Sequence, residues 1–267
     1  MTSLLKVAAN GAEISYEVSG PEGAPWLTLS NSLATDRTMW DPQMNALEQT
    51  HRVLRYDTRG HGQSSAEASP YTFDLVCEDV IALLDHLSVE KTDFLGLSFG
   101  GMTALAMGIK YPNRINKLIC CDARAFAPPP YTNMWVTNIA RMHEQGLAPI
   151  AEETIGRWFT EGFRAKSENA QLLATMTENF LKTSHNGYEG VASCLSTLDL
   201  LKDLPKITAK TRFIVGSSDP AAPIDAMQEM SDKVAGSDLV VIENAAHISN
   251  MEQPEAFTAA VCEFLVS

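Results

Sequence analysis

The sequence predicts an α/β protein with one mostly parallel sheet, helices on both faces of that sheet and an all-helical insertion. Three observations support this fold class. Short apolar runs alternate with longer segments of helical periodicity along most of the 267 residues. The apolar runs are nearly continuous, as expected for parallel strands that are buried on both faces. The alternation stops after three consecutive prolines, Pro128–Pro130, and only helical patterns follow from 131 to about 204.

The chain begins with a predicted hairpin, because two alternating runs flank Asn10-Gly11, a dipeptide that favours tight turns between strands. The hairpin strands are predicted over 3–8 and 13–18. Further strands are predicted over 26–30, 52–56, 92–97, 115–122, 212–216 and 239–243. Helices beside the sheet are predicted over 73–87, 99–111, 225–235 and 254–266.

This pattern predicts two units. The core domain is expected over 1–124 and 205–267, and a helical cap over 125–204 is expected to cover the carboxyl edge of the sheet. Large apolar side chains of the cap are expected to line its inner face, with packing inside the cap as the open alternative. These side chains are Met134, Trp135, Met142, Trp158 and Phe159.

Composition excludes several classes of protein. The formal net charge is −13, and no basic stripe is present that could bind nucleic acid. No apolar run is long enough to span a bilayer, and the N-terminus lacks the pattern of a secretion signal, so we expect a cytoplasmic protein. The five cysteines are odd in number and lack metal-binding spacing. We therefore predict no metal.

The segment Gly96-Leu97-Ser98-Phe99-Gly100 has the G-x-S-x-G pattern and lies between a predicted strand and a predicted helix. In that position the pattern is typical of a nucleophile elbow, a sharp turn that exposes a serine hydroxyl. The glycines fit this geometry, because side chains two residues before or after the serine would collide with the neighbouring strand or helix. We therefore predict that Ser98 is a nucleophile rather than a helix cap.

A serine nucleophile needs a base, and the base needs an orienting carboxylate. His247 lies in a polar loop between the last predicted strand and the last predicted helix, on the side where Ser98 emerges. Asp219 follows the preceding strand by three residues, whereas its competitor Asp225 fits the N-cap of the next helix. The chain order serine, acid, histidine is that of α/β hydrolases. We predict a triad of Ser98, Asp219 and His247.

Two backbone N–H groups are expected to stabilise the oxyanion of an acyl-transfer transition state. One belongs to Phe99, the residue after the nucleophile. The other is assigned to Leu33, in the loop after the strand predicted over 26–30. Because both donors belong to the backbone, substitution of the side chains would not remove them.

Other polar residues are given structural interpretations. The stretch YDTRGHGQS, residues 56–64, contains two glycines and is expected to form a tight turn with internal pairing among Asp57, Arg59 and His61. His86 lies near the end of a predicted helix, where a cation suits the helix dipole. Three further histidines are expected to be solvated: His51, His143 and His185.

Four segments together resemble a known family. They are LSNSLATDRTMWDPQ (29–43), RVLRYDTRGHGQS (52–64), GLSFGGM (96–102) and AAHISNMEQPEAF (245–257). The chain resembles the α/β-hydrolase superfamily over essentially its whole length, and within it the bacterial 3-oxoadipate enol-lactonases. Ser30-Asn31-Ser32-Leu33 matches the oxyanion loop of those lactonases, where most relatives have His-Gly.

The resemblance implies a cofactor-free serine hydrolase that opens a five-membered enol-lactone to 3-oxoadipate in the catabolism of aromatic compounds. The sequence departs from these lactonases after residue 121, where Asp122 and Arg124 replace small uncharged polar residues and are expected to lie beneath the cap. Alternative functions are a broad carboxylesterase, a lactonase for another ring, a perhydrolase or lyase, and a ligand-binding receptor on the same fold.

A substrate that carries a free carboxylate would need a cationic partner, and arginine offers a bidentate pair. Arg124 is nearest in sequence to the sheet edge, and we group it with Met134, Trp135 and Trp158 as candidate substrate-binding residues. The other candidates for the cation are Arg141, Arg157 and Arg164. Structural pairing of each arginine is the alternative. The sequence makes no prediction of oligomeric state or stereochemical preference.

Overall fold

The computed structural model of the protein describes residues 4–267. An eight-stranded sheet lies at its centre. The strands are β1 (Leu5–Ala9), β2 (Ala12–Ser19), β3 (Trp26–Ser30), β4 (Arg52–Tyr56), β5 (Thr92–Leu97), β6 (Ile115–Cys121), β7 (Lys210–Gly216) and β8 (Asp238–Ile242). Their order across the sheet is β1-β2-β4-β3-β5-β6-β7-β8.

The sheet is parallel except at one edge. β2 pairs antiparallel with β1 and with β4, and the other neighbouring strands pair parallel. Every residue of β5 is buried, which accounts for its continuous apolar sequence. Because the carboxyl ends of parallel strands lie at one edge, the loops after β3, β5, β6, β7 and β8 meet there.

Helices surround this sheet. They are α1 (Asp41–Leu47), α2 (Phe73–His86), α3 (Phe99–Lys110), α4 (Pro129–Gln145), α5 (Ala148–Trp158), α6 (Glu161–Arg164), α7 (Ala170–Lys182), α8 (His185–Ser196), α9 (Ile224–Lys233), α10 (Ser249–Glu252) and α11 (Pro254–Val266). α3 packs on β3, β5 and β6, and α9 packs on β7 and β8. α4 to α8 lie between β6 and β7 in the chain, and α4 packs on α5 and α8.

The sequence predicted the bounds of most strands, and of most helices that pack on the sheet, to within a few residues. The first predicted strand begins outside the described residues, and its described part forms β1, which starts at Leu5. The strand predicted over 115–122 ends one residue early, because Asp122 has a φ of +47° and leaves the extended conformation. α1 was not predicted, because its seven residues are too few for a periodic pattern.

The turn at 56–64 pairs within itself, as predicted, and also supports the helical insertion. Oδ2 of Asp57 accepts a hydrogen bond from the backbone N–H of Gln63 at 2.9 Å, and Nδ1 of His61 lies 3.1 Å from the carbonyl oxygen of Arg59. The charged groups of Asp57 and Arg59 also pair outside the turn, with Arg37 at 3.0 Å and with Asp79 at 2.6 Å. A Cβ on Gly60, whose φ is +79°, would lie 2.2 Å from Cα of Gly187 in α8. A glycine at position 60 therefore lets α8 rest directly on the turn.

One of the histidines expected at the surface is buried. His51 is 4% exposed, and its Nε2 lies 3.3 Å from Oδ2 of Asp93, so the prediction that it is solvated is wrong. The carboxylate stabilises the buried imidazole, which sequence periodicity could not show. His143 and His185 are exposed, as predicted.

Residues 4–267 contain neither a membrane-spanning helix nor a cluster of potential metal ligands. None of the helices formed by these residues combines the length and the apolar character that crossing a bilayer requires. The same residues contain no group of three or more His, Cys, Asp or Glu side chains placed to hold a metal ion.

Candidate active site

Ser98 lies on a strained turn between β5 and α3. Its φ of +57° and ψ of −116° are rare for a residue with a side chain. A Cβ on Gly96 would lie 2.0 Å from the carbonyl oxygen of Gly100, and one on Gly100 would lie 2.0 Å from that of Ser30. Glycine is therefore required on both sides of the turn, which is the steric reason that the sequence pattern indicated.

Three side chains from distant loops form one hydrogen-bonded chain. Nε2 of His247 lies 2.8 Å from Oγ of Ser98, and Nδ1 of His247 lies 2.8 Å from Oδ2 of Asp219. The other carboxylate oxygen of Asp219 accepts a hydrogen bond from the backbone N–H of Ala221 at 2.7 Å. The three residues are each at most 7% exposed. The structure thus brings together the serine, histidine and acid that the sequence singled out.

The surroundings of His247 favour its charged form. Burial alone lowers the pKa of this imidazole, but the charge and hydrogen bond of Asp219, together with the charge of Asp122, outweigh burial. The positive charge of Arg157 acts in the opposite direction. The net result is a His247 pKa above its ordinary value, which makes the residue a stronger base.

Asp225, the competing acid, lies elsewhere. It is exposed in the first turn of α9, and the N-cap position of that helix is taken by Pro223. The interpretation of Asp225 as the N-cap is therefore wrong. An acid in the first turn still interacts favourably with the helix dipole, and that accounts for its place in the sequence.

The two expected oxyanion donors have free N–H groups. Within residues 4–267, neither Phe99 nor Leu33 donates its backbone N–H to a protein acceptor. The loop that carries Leu33 is held from below, because Trp40 Nε1 donates to Oδ1 of Asn31 at 2.9 Å and Asn31 Nδ2 donates to the carbonyl of Tyr56 at 2.8 Å. Trp40 is completely buried, as expected for a residue packed under this loop.

Ser98 and His247 open into a cavity with a solvent-accessible volume of about 130 Å³. Its floor comes from loops at the sheet edge, and its roof comes from α4, α5, α7 and α8. Of the side chains predicted to line the cap, Met134, Trp135 and Trp158 do line the cavity. Met142 and Phe159 are buried but do not line it.

Sequence reasoning missed several aromatic residues of the roof. Tyr131, Phe180 and Tyr188 also line the cavity. Nε1 of Trp135 and the hydroxyl of Tyr188 are buried, and neither has a hydrogen-bond partner in the part of the chain that the structure describes. Their position follows from how four helices pack together, and helical periodicity contains no information about that packing.

Two of the four candidate arginines line the cavity. Arg124 does so, but its Nε donates to the carbonyl of Ala221 and its guanidinium lies 5.4 Å from the centre of the Tyr131 ring. Arg157 also lines it and donates to Oγ1 of Thr154 at 3.2 Å.

The surroundings of the four arginines differ. No carboxylate among residues 4–267 lies within 4.0 Å of Arg157. Outside the cavity, Arg141 pairs with Glu153 at 2.6 Å and Arg164 donates to the carbonyl of Phe159 at 3.2 Å. Neither Arg124 nor Arg157 pairs with a carboxylate among the described residues, but Arg124 is held by both Ala221 and Tyr131, whereas Arg157 donates only to Thr154.

Comparison with known proteins identifies the family. A model described as the alpha/beta hydrolase fold matches residues 25–254, which is most of the chain. This chain belongs to the α/β-hydrolase fold family. The predicted fold class is thereby confirmed, and the hydrogen-bonded serine, histidine and aspartate occupy the loops at the carboxyl edge of an α/β-hydrolase sheet.

Individual relatives narrow the resemblance within the α/β hydrolases. 3-Oxoadipate enol-lactonase 2 of Acinetobacter baylyi is 35% identical over 255 residues, which cover 96% of this chain and 94% of the relative. The crystal structure of the enol-lactonase from Burkholderia xenovorans LB400 is 36% identical, with a TM-score of 0.94 and coverage of 98% of this chain and 100% of the other. The predicted similarity to enol-lactonases is confirmed.

A third relative is an esterase. The malate-bound thermophilic esterase from Thermogutta terrifontis is 30% identical to this chain, with a TM-score of 0.90 and coverage of 98% of each chain. The α/β hydrolases similar to this chain thus include an esterase as well as enol-lactonases.

Proposed function

We propose that this α/β hydrolase is a serine hydrolase of the enol-lactonase type, which opens a small enol-lactone by acyl transfer. The observation that carries the proposal is the chain of two 2.8 Å hydrogen bonds from Asp219 through His247 to Ser98, at the floor of a closed-over cavity. The 35% identity to an enol-lactonase along nearly the full length supports the choice of substrate class.

In the first half of the reaction, Oγ of Ser98 attacks the lactone carbonyl while Nε2 of His247 takes the hydroxyl proton. Asp219 stabilises the imidazolium that forms. The N–H groups of Phe99 and Leu33 hold the developing oxyanion, and such donors are worth about 3–4 kcal/mol each in well-studied enzymes. Collapse of the tetrahedral intermediate breaks the ring C–O bond and releases the enolate oxygen, which takes the proton from His247.

In the second half, the leaving group stays attached because the ring has opened and the acyl chain is bound to Ser98. The released enol tautomerises to the ketone. His247, now neutral, takes a proton from a water molecule that attacks the acyl-enzyme carbonyl. The second tetrahedral intermediate collapses, Ser98 regains its proton, and the free acid leaves.

The cavity suits an acyl group that carries a carboxylate. Arg157 supplies a positive charge, and the side chains of Trp135 and Tyr188 line the same cavity. We assign the substrate carboxylate to Arg157, since a charged hydrogen bond in an enclosed site is worth more than a neutral one. Arg124 contributes to the wall, because its Nε is already bonded to Ala221. Met134 and Trp158 provide apolar contacts.

We assign the insertion over 125–204 the role of a cap, since its helices supply the roof of the cavity. We also place the reaction in the cytoplasm. All five cysteines are free thiols, and four of them are buried, which fits a reducing compartment.

The test is the decay of enol-lactone absorbance with purified protein, measured beside p-nitrophenyl acetate and a saturated γ-lactone. We expect a kcat/KM above about 10⁵ M⁻¹s⁻¹ for the enol-lactone, which lies in the usual range for enzymes, and much weaker turnover of the other two compounds. Slow enol-lactone turnover beside fast p-nitrophenyl ester turnover would contradict the substrate class while leaving the acyl-transfer chemistry in place.

The second candidate is a carboxylesterase of wider specificity. It is favoured by the 30% identical thermophilic esterase and by the two charged residues, Asp122 and Arg124, in the cavity wall. A series of p-nitrophenyl esters from acetate to octanoate separates the two candidates. An esterase should accept several of them with similar kcat/KM, whereas a lactonase with an anion-binding cavity should prefer the carboxylated ring.

A further inference from the structure

Asp122 is a buried carboxylate in the wall of the active-site cavity, and the mechanism above does not use it. It follows directly after β6 and is 0% exposed. Its φ of +47° lies in the left-handed region, which Asp and Asn adopt more readily than most residues. A carboxylate in this position needs compensation by hydrogen bonds or charges, because burial removes its hydration.

The compensating hydrogen bonds link the acid loop and the base loop. Oδ1 of Asp122 accepts a hydrogen bond from the backbone N–H of Gly216 at 2.8 Å, and Oγ of Ser249 donates to Oδ2 at 2.5 Å. Gly216 is the last residue of β7, three residues before Asp219, and Ser249 follows His247 by two residues. The side chain of Asp122 thus joins the segment before Asp219 to the segment after His247.

The charges of Asp122, Asp219 and His247 also shift one another's pKa values. Burial and the negative charge of Asp219 raise the pKa of Asp122 well above its ordinary value, and the charge of His247 acts against this rise. The charge of Asp122 in turn raises the pKa of His247. Two other charged groups act on the pKa of His247. Asp219, which accepts a hydrogen bond from Nδ1, raises this pKa, and the positive charge of Arg157 lowers it.

We propose that Asp122 is a positioning residue for the pair of His247 and Asp219. It holds the two loops at a fixed spacing. When Ser98 loses its proton, the positive charge of the imidazolium favours the ionised form of Asp122, and this second negative charge in turn stabilises the imidazolium. The proposal rests on the proposed function of Ser98 and His247. It assigns a role to a residue that departs from the small uncharged pattern of the lactonases that this chain resembles.

The variant Asp122→Asn separates charge from geometry. Asparagine tolerates the same backbone conformation, its oxygen can accept from Gly216, and its amide can donate to Ser249, so both links remain. We expect the pKa of His247 to fall, and the acid limb of the pH profile of kcat/KM to move to lower pH with it. We also expect kcat on the plateau to fall about tenfold, or about 1.4 kcal/mol, at unchanged KM.

The pKa is measured by NMR titration of protein labelled with ¹⁵N-histidine, and the His247 resonances are assigned by their loss in His247→Gln. This measurement needs no substrate, so it remains informative even if the enol-lactone is not turned over, which separates failure of this proposal from failure of the proposed function. If Asp122→Asn leaves the His247 pKa and the acid limb at their wild-type positions, the charge of Asp122 does not act on His247 and the charge half of the proposal is overturned.

Asp93→Asn is the matched control. Asp93 is also a buried carboxylate that accepts hydrogen bonds from Asn116 Nδ2 and from the backbone N–H of Lys117, but it lies at the opposite end of β5 from Ser98. We expect this control to lower Tm and to leave the His247 pKa and kcat unchanged. An equal fall of the His247 pKa in both variants would mean that the effect is not specific to Asp122.

Ser249→Ala tests the link between the loops. It removes the hydrogen bond to Oδ2 and leaves the Asp122 carboxylate and its bond to Gly216 in place. We expect kcat to fall at unchanged KM, because His247 is held less firmly. A wild-type kcat in this variant would overturn the positioning half of the proposal.

Discussion

Nε2 of His247 lies 2.8 Å from Oγ of Ser98, although 149 positions separate the two residues in the chain. The contact forms because β5 and β8 both end at the carboxyl edge of the sheet, and each is followed by a loop that carries one partner. The parallel arrangement of the strands therefore determines which distant residues meet, and the predictions below test what that meeting does.

Ser98→Ala should abolish hydrolysis. It removes the nucleophile, and in a well-studied serine protease the loss of one member of the triad lowers kcat by more than about 10⁴-fold. Turnover is measured with the enol-lactone and with p-nitrophenyl acetate, and Tm shows whether the variant is folded. Mass spectrometry after reaction with a fluorophosphonate should find the label on Ser98. Retention of more than about a hundredth of the wild-type activity would exclude Ser98 as the nucleophile.

Asp219→Asn should lower kcat by about 10⁴-fold, the loss observed when the equivalent acid is replaced in a serine protease. The amide of asparagine is neutral, so it lacks the negative charge that faces Nδ1 of His247 in the wild type. The imidazole therefore loses both its orientation and its stabilisation. Asp225→Asn is the matched control, because it replaces an exposed aspartate six residues away that does not contact His247. A greater loss in Asp225→Asn than in Asp219→Asn would reverse the assignment of the acid.

The pH profile of kcat/KM should show an acid limb above pH 6.5, the pKa of an unperturbed histidine. The general base must be neutral to accept the proton of Ser98, and the two carboxylates raise the pKa of His247. Activity should therefore be lost as pH falls through this raised pKa. Initial rates between pH 5 and pH 9 test the expectation, and a limb below 6.5 or a flat profile would disagree with a histidine base in this environment.

Arg157→Gln should weaken the turnover of carboxylated substrates. Charged hydrogen bonds are worth about 1.5–3 kcal/mol, so kcat/KM for the enol-lactone should fall by about 10- to 100-fold, mainly through KM. Turnover of neutral p-nitrophenyl acetate should stay within about twofold, since this ester has no carboxylate. Arg141→Gln is the matched control, because Arg141 belongs to the same insertion but pairs with Glu153 outside the cavity. Equal losses on both substrates would show that Arg157 does not select for charge.

Local patterns identified the parts of this protein that depend on a few neighbouring residues. The turn at Ser98 was predictable because Gly96 and Gly100 are demanded by contacts within the turn and with the strand beside it. Asp219 and His247 were predictable as candidates because each follows a strand whose apolar run is clear in the sequence. The sheet was predictable for the same reason, since burial on both faces leaves a continuous apolar run.

What depends on packing between distant segments could not be predicted. His51 was expected in solvent, yet Asp93 meets it inside the protein. Met142 and Phe159 were expected either to line the inner face of the cap or to pack inside it, and only the structure shows that they are buried away from the cavity. Helical periodicity tells which face of a helix is apolar, but the contacts of that face depend on how neighbouring helices cross.

The sequence by itself determined the α/β fold class, the strained turn at Ser98 and the chain order of the nucleophile, acid and base, because these follow from local sterics and from the burial of each strand. The tertiary structure alone decided that Arg157 rather than Arg141 lines the cavity, and that Asp122 links the loops of Asp219 and His247. These relationships join residues far apart in the chain, so they are set by the packing of whole elements and leave no periodic pattern in the sequence.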